Sequence, residues 1–166
     1  FLADLNKKKT TLILESKEPI IEYDNYCIDR KREEILISEK NGMITFIDLN
    51  SGKKRSVNSE IGQFKYPIYS PNYKLIAVVG REEQDVDMGN IYLITPEGEK
   101  VSQLTNFTAS DSQQPSFPLV SWILSYPISW SYNGRKILLS IVSATNIYDL
   151  AIIDITTKKL TRITHT

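Results

Sequence analysis

Two stretches decide how this chain folds. Tyr66-Pro67-Ile68-Tyr69-Ser70-Pro71-Asn72 leads into the apolar run Lys74–Val79, and Tyr126-Pro127-Ile128-Ser129-Trp130-Ser131-Tyr132-Asn133-Gly134 leads into Lys136–Val142. Each joins two strand-like runs through a short polar turn. An eroded third copy runs from Tyr26–Arg32 into Glu34–Ser38. After each copy comes a second unit: a strand ending in an acid or a small polar residue, a turn, and a lysine-rich strand. It reads Thr45-Phe46-Ile47-Asp48-Leu49-Asn50, Tyr92-Leu93-Ile94-Thr95-Pro96-Glu97 and Ala151-Ile152-Ile153-Asp154-Ile155-Thr156, and Phe1-Leu2-Ala3-Asp4-Leu5-Asn6 opens the chain with the same unit. Asp4, Asp48, Thr95 and Asp154 are then equivalent, at separations of 44, 47 and 59 residues. Four strands at that spacing match the ~40–50 residues of a β-propeller blade.

The strands themselves support an all-β reading. Helical periodicity is almost absent, and Asn41-Gly42, Ser51-Gly52, Glu97-Gly98 and Asn133-Gly134 punctuate strand pairs as hairpin turns do. Leu75-Ile76-Ala77-Val78-Val79 and Ile137-Leu138-Leu139-Ser140-Ile141 are continuous apolar runs, as expected of strands that lose water on both faces. A two-sheet sandwich would alternate more cleanly. The expected organisation is one partial propeller of about three and a half four-stranded antiparallel blades. It comprises a half blade of two outer strands over 1–14, blades over 15–60, 61–106 and 125–166, and a long inter-blade loop over 107–124.

Composition narrows the chemistry. The chain has 166 residues, 20 Lys and Arg against 20 Asp and Glu, and a hydrophobic content of 41%. A neutral chain lacks the basic footprint of a nucleic-acid binder, and no apolar run approaches the ~20 residues of a membrane-spanning helix. The single cysteine, Cys27, and the single histidine, His165, leave little for thiol, imidazole or metal chemistry. No Gly-x-Ser-x-Gly elbow is present. Because the chain starts at Phe1 without a leader, it reads as a mature product or an excised piece.

Trp130-Ser131-Tyr132-Asn133-Gly134-Arg135-Lys136-Ile137-Leu138, followed by Asp149–Thr164, resembles the WD40-like repeat of the TolB-type propellers. So do Tyr69-Ser70-Pro71-Asn72, Asn90-Ile91-Tyr92-Leu93, Pro96-Glu97-Gly98-Glu99 and Gln103-Leu104-Thr105. The resemblance implies a propeller scaffold for protein or ligand binding, found alone, in periplasmic TolB-like proteins, or ahead of a peptidase domain. It brings no catalytic residue, metal or cofactor with it.

Two loops are the candidate partner-binding sites. The stretch Arg81–Asn90 gathers the acids Glu82, Glu83, Asp85 and Asp87, and Asn106–Leu124 holds the aromatic anchors Phe117 and Trp122 among Ser, Gln and Pro. The acidic stretch does not have calcium-loop spacing, since Gly89 and Pro96 stand where ligands are needed. Strand parity puts both loops at one end of the blades. It puts cationic turns such as Arg30–Arg32, Lys53–Arg55 and Lys158-Lys159 at the other. The expected function is a non-catalytic binding or scaffold module with a protein or peptide partner. The alternative is the substrate-gating propeller of a serine peptidase whose catalytic domain lies outside this chain. Three and a half blades leave apolar faces without neighbours, so flanking blades or self-association are expected to cover them.

Overall fold

The structure, a computed structural model, describes residues 2–4, 9–11, 26–39, 42–81, 89–106, 128–142 and 148–164. Among these residues there is no helix. β1 (Leu2–Asp4) and β2 (Lys9–Thr11) pair as a two-stranded antiparallel sheet, and three four-stranded antiparallel sheets follow. The first sheet contains β3 (Tyr26–Asp29), β4 (Glu34–Ser38), β5 (Met43–Asp48) and β6 (Lys54–Asn58). The second contains β7 (Gln63–Tyr69), β8 (Ile76–Arg81), β9 (Asn90–Ile94) and β10 (Lys100–Gln103). The third contains β11 (Ser129–Trp130), β12 (Lys136–Val142), β13 (Tyr148–Asp154) and β14 (Leu160–Arg162). Within each sheet every strand pairs with its neighbours in sequence, which makes each sheet an up-and-down meander.

The sheets stack in chain order, and this stacking forms the core. Alternate residues of a strand point to opposite sides, so each middle strand has a forward face toward the next sheet and a backward face toward the previous one. Leu36, Ile44 and Phe46 from the first sheet meet Tyr69, Ile76, Val78, Tyr92 and Ile94 from the backward face of the second. The second sheet's forward residues, Ala77, Val79, Ile91 and Leu93, meet Ile137, Leu139, Ile141, Ala151 and Ile153 of the third. The continuous apolar run Ile76–Val79 is therefore buried on both sides, as its composition predicts.

Close packing of the strands and turns needs glycine at Gly80 and at Gly98. A Cβ on Gly80 would lie 2.6 Å from the Ile61 side chain and 2.9 Å from the Tyr92 ring, and one on Gly98 (φ +96°) would lie 2.2 Å from the Asn58 carbonyl oxygen. Gly98 thus lets the β9–β10 turn rest on β6 of the preceding sheet, where Arg55 Nη1 also donates to the Pro96 carbonyl at 3.1 Å. Trp130 Nε1 donates to the Ile68 carbonyl at 3.2 Å and ties the third sheet to the second.

The equivalence of Asp48, Thr95 and Asp154 is visible in what their side chains do. Asp48 Oδ1 accepts from the Ser51 N–H at 2.7 Å and the Asn50 N–H at 3.1 Å, and Asp154 Oδ1 from the Thr157 N–H at 2.9 Å and the Thr156 N–H at 3.0 Å. Thr95 Oγ1 takes the matching role toward the N–H groups of Glu97 and Glu99. These residues form turns, as such acids do at strand ends. The donated hydrogen bonds, led by those of Ser51 and Thr157, hold both carboxyls below the ordinary 3.8. A carboxylate whose pKa falls on folding stabilises the fold above its unfolded pKa, and that stability is lost as pH drops through the folded value. Asp48→Asn and Asp154→Asn should therefore flatten the acid limb of stability against pH, most visibly below 3.8, in urea midpoints measured across that range.

A second device closes the second and third sheets. Thr105 Oγ1 donates to Asn90 Oδ1 at 2.9 Å and accepts from the Ile91 N–H at 2.9 Å, and Thr164 Oγ1 does the same with Asp149 Oδ1 and the Leu150 N–H, each at 2.8 Å. Arg162 completes the second latch by pairing with the buried Asp149 carboxylate. Thr105→Val would strip the buried Ile91 N–H of its acceptor and should cost about 1–3 kcal/mol in urea unfolding. Thr164→Val, at the more accessible position, should cost less.

Candidate functional site

The six partner-binding candidates, Glu82, Glu83, Asp85, Asp87, Phe117 and Trp122, lie outside the described residues. The strand ends that flank them are described. β8 ends at Arg81, β9 begins at Asn90, β10 ends at Gln103 and β11 begins at Ser129, so antiparallel pairing brings these ends to the same side of the sheets.

The opposite end is built by six turns, those between first and second strands and those between third and fourth. Three of them, at 30–33, 71–74 and 132–135, share one construction. The ladder closes at Asp29–Glu34 in the first sheet, and the Ser70 and Ser131 N–H groups donate to the Leu75 and Lys136 carbonyls, both at 2.8 Å, in the others. A side-chain oxygen then caps the turn. Asp29 Oδ1 accepts from the N–H of Lys31 at 2.9 Å and of Arg32 at 2.8 Å, Asn72 Oδ1 from the Lys74 N–H at 3.1 Å, and Asn133 Oδ1 from the Arg135 N–H at 3.1 Å. The third turn residue adopts a left-handed φ in the later two, 59° at Tyr73 and 68° at Gly134. Glycine takes that conformation freely, whereas a tyrosine pays roughly 1–2 kcal/mol for it.

Contacts to the first sheet explain the tyrosine. The Tyr73 ring meets the Tyr69 ring edge-on at 5.5 Å, its hydroxyl reaches Asp29 Oδ1 at 3.4 Å, and Arg32 lies 5.3 Å from its centroid. Arg32 also covers Tyr69 at 4.9 Å, and the Tyr69 hydroxyl donates to Glu34 Oε2 at 2.8 Å. Burial, followed by the Glu34 hydrogen bond, pushes the Tyr69 phenol far above its usual range, so it stays a neutral donor. Burial with Asp29 nearby likewise raises the Cys27 thiol, leaving it a poor nucleophile. The second and third turns also touch, since a Cβ on Gly134 would sit 3.5 Å from the Pro71 ring. The three turns therefore form one continuous surface.

Its outer side is basic. Arg30, Lys31, Lys74, Arg135 and Lys136 are exposed, and among the described residues none forms an ion pair. Tyr132, at the tip of the third turn, is 98% exposed. Lys53, Lys54, Lys158 and Lys159 extend the positive character to the outer turns, interrupted by Glu97 and Glu99. The cationic turns expected at this end from strand parity stand there among the described residues, while the acidic stretch expected at the other end lies outside them. The sequence did not single out Tyr132 or the Arg32–Tyr69–Tyr73 stack. No three of His, Cys, Asp or Glu come together as metal ligands among the described residues, and no helix of the described chain is long and apolar enough to cross a membrane.

The third sheet presents a different surface. Repeat equivalence groups Leu36 with Ala77 and Leu138, Ile44 with Ile91 and Leu150, and Phe46 with Leu93 and Ile152, all on forward faces. The members from the first two sheets are buried, but Leu138 is 38% and Leu150 43% exposed, with Ile152 partly accessible. Burial of the middle strands on both sides, expected from their composition, thus holds in the second sheet and stops at the forward face of the third. No sheet of the described chain follows to cover it.

No protein-family model and no curated protein matches the sequence. Solved structures do match. A protein assigned as a TolB of Agrobacterium tumefaciens superposes with a TM-score of 0.68 at 16% identity, over 98% of this chain and 52% of its own. TolB from Acinetobacter baumannii gives 0.64 at 19% identity, over 99% and 37%. An oligogalacturonate lyase in complex with manganese gives 0.64 at 15% identity, over 98% and 41%. The chain therefore spans about half or less of the length of the structures it matches. With three meander sheets stacked face to face in chain order, and with these neighbours, the chain has the fold of a TolB-type β-propeller segment of about three blades.

Proposed function

We propose that the chain is a non-catalytic binding module whose rigid blades present loops to a protein or peptide partner. The observation behind this reading is where the polar side chains are used. Asp48, Asp154, Asn90 and Asp149 cap turns and latch strands, and the acid-bearing turns are occupied with their own backbone. The TolB neighbours fit such a scaffold. One neighbour is a lyase, so the fold by itself does not decide the matter. The acidic stretch with Glu82, Glu83, Asp85 and Asp87 and the aromatic stretch with Phe117 and Trp122 form the proposed partner surface, its aromatics acting as anchors and its acids as a rim. Phe117→Ala combined with Trp122→Ala should weaken capture of the native partner while leaving the thermal transition nearly unchanged. A large drop in the transition would assign these aromatics to the core and retire the surface.

The open forward face of the third sheet is the second element of this reading. Leu138, Leu150 and Ile152 stand where the two preceding sheets bury residues of the same kind, and covering the part of each that is still accessible would stabilise by about 0.5–1.5 kcal/mol. A flanking blade, or another copy of this chain when it is isolated, is the proposed cover. Sedimentation of the isolated chain should show self-association that Leu138→Asp with Ile152→Asp abolishes. A stable monomer, unchanged by these substitutions, would show that the face needs no neighbour.

A further inference from the structure

The continuous basic surface made by the 30–33, 71–74 and 132–135 turns is used by nothing described so far. Its cations are Arg30 and Lys31 in the first turn, Lys74 and Arg135 at the same fourth position of the second and third turns, and Lys136 at the start of β12. The capping oxygens of Asp29, Asn72 and Asn133 hold the backbone of each turn, so the cations project from fixed positions at little further entropic cost. Beside them the Tyr132 ring is almost fully in water, although nothing in the fold requires an aromatic there. The equivalent residues are Arg30 and Pro71, and both serve the turn without one. A rigid, amphipathic ring among exposed cations is a common make-up of a recognition surface.

We propose that this end of the molecule docks an acidic polypeptide segment, with Arg135 and Lys136 pairing its carboxylates and Tyr132 packing on its side chains. The inference deepens the binding-module reading and rests on it, but it uses the end opposite the two loops proposed there. A protein segment fits better than a dense polyanion. The chain's charge sums to zero, which gives no long-range pull on nucleic acid or sulfated glycan. The cations are also spread over separate turns, with Glu33 and Glu34 between the first and second groups, and this suits spaced carboxylates more than a continuous phosphate row.

The test uses the full chain and a labelled Glu-rich peptide, read by fluorescence anisotropy across a salt series. Binding should weaken as salt rises. Arg135→Glu with Lys136→Glu should weaken it by about tenfold, as expected for two rim pairs, with a small drop in the thermal transition because Lys136 stands opposite Asp154, whereas Arg135→Glu alone and Tyr132→Ala should each weaken it a few-fold with unaltered transitions because both side chains are exposed. Lys65→Glu, a charge change on the strand β7, should leave binding as it was. The inference is overturned if the peptide does not bind, if Lys65→Glu weakens binding as much as the double reversal, or if an oligonucleotide of equal charge binds as tightly as the peptide. Phe117→Ala with Trp122→Ala separates the two readings. If that pair alone abolishes peptide binding, the basic end is wrong while the binding module stands. If native-partner capture also survives the pair, the loop surface falls as well.

Discussion

Every blade of this protein depends on complementarity between the forward face of one sheet and the backward face of the next. A middle strand of a meander has two apolar faces, and neither can be left in water without cost, so the sheets can only be stable as a stack. The second sheet shows the condition met on both sides, with Ile76 and Val78 against the first sheet and Ala77 and Val79 against the third. Small residues allow the sheets to come close. Gly98 admits the Asn58 carbonyl of the preceding sheet, and Ala77 occupies a position that is leucine in both neighbours, Leu36 and Leu138. Interiors packed to this degree accept little added volume.

That stacking also determines what the turns can do. Because each sheet is an up-and-down meander, turns of one parity fall at one end of every blade, and stacking sets them side by side. Local chemistry makes each turn rigid through a capping oxygen, and stacking then joins the turns through Arg32, Tyr69 and Tyr73 on one side and Pro71 with Gly134 on the other. A left-handed tyrosine is tolerated at Tyr73 because its ring fastens two blades. Backbone strain here is offset by a contact between sheets, so local and tertiary terms cannot be assigned separately at this residue.

Much of this was legible in the residues. The equivalence of Asp48, Thr95 and Asp154 could be read from spacing alone, and their hydrogen bonds follow from what short polar side chains do at strand ends. The latches were half legible: Asn90 with Thr105 and Asp149 with Thr164 recur at the same separation of 15 residues, a signal that hydrophobic patterning passes over. The cation–tyrosine stack and the exposure of Tyr132 were not legible. They depend on which turn lies beside which, and a turn's neighbours across a blade interface are ~40 or more residues away in sequence.

The sequence by itself determined the strands, the turns, the four-stranded repeat and the parity of the ends, because each follows from local periodicity and turn chemistry within a few residues. Only the tertiary structure decided which apolar faces are covered. Leu36 and Leu138 are the same residue in equivalent places, yet the first is fully buried and the second 38% exposed. The difference lies in whether, among the described residues, a following sheet packs on that face. Burial is a property of the neighbour as much as of the residue, and no local pattern specifies the neighbour.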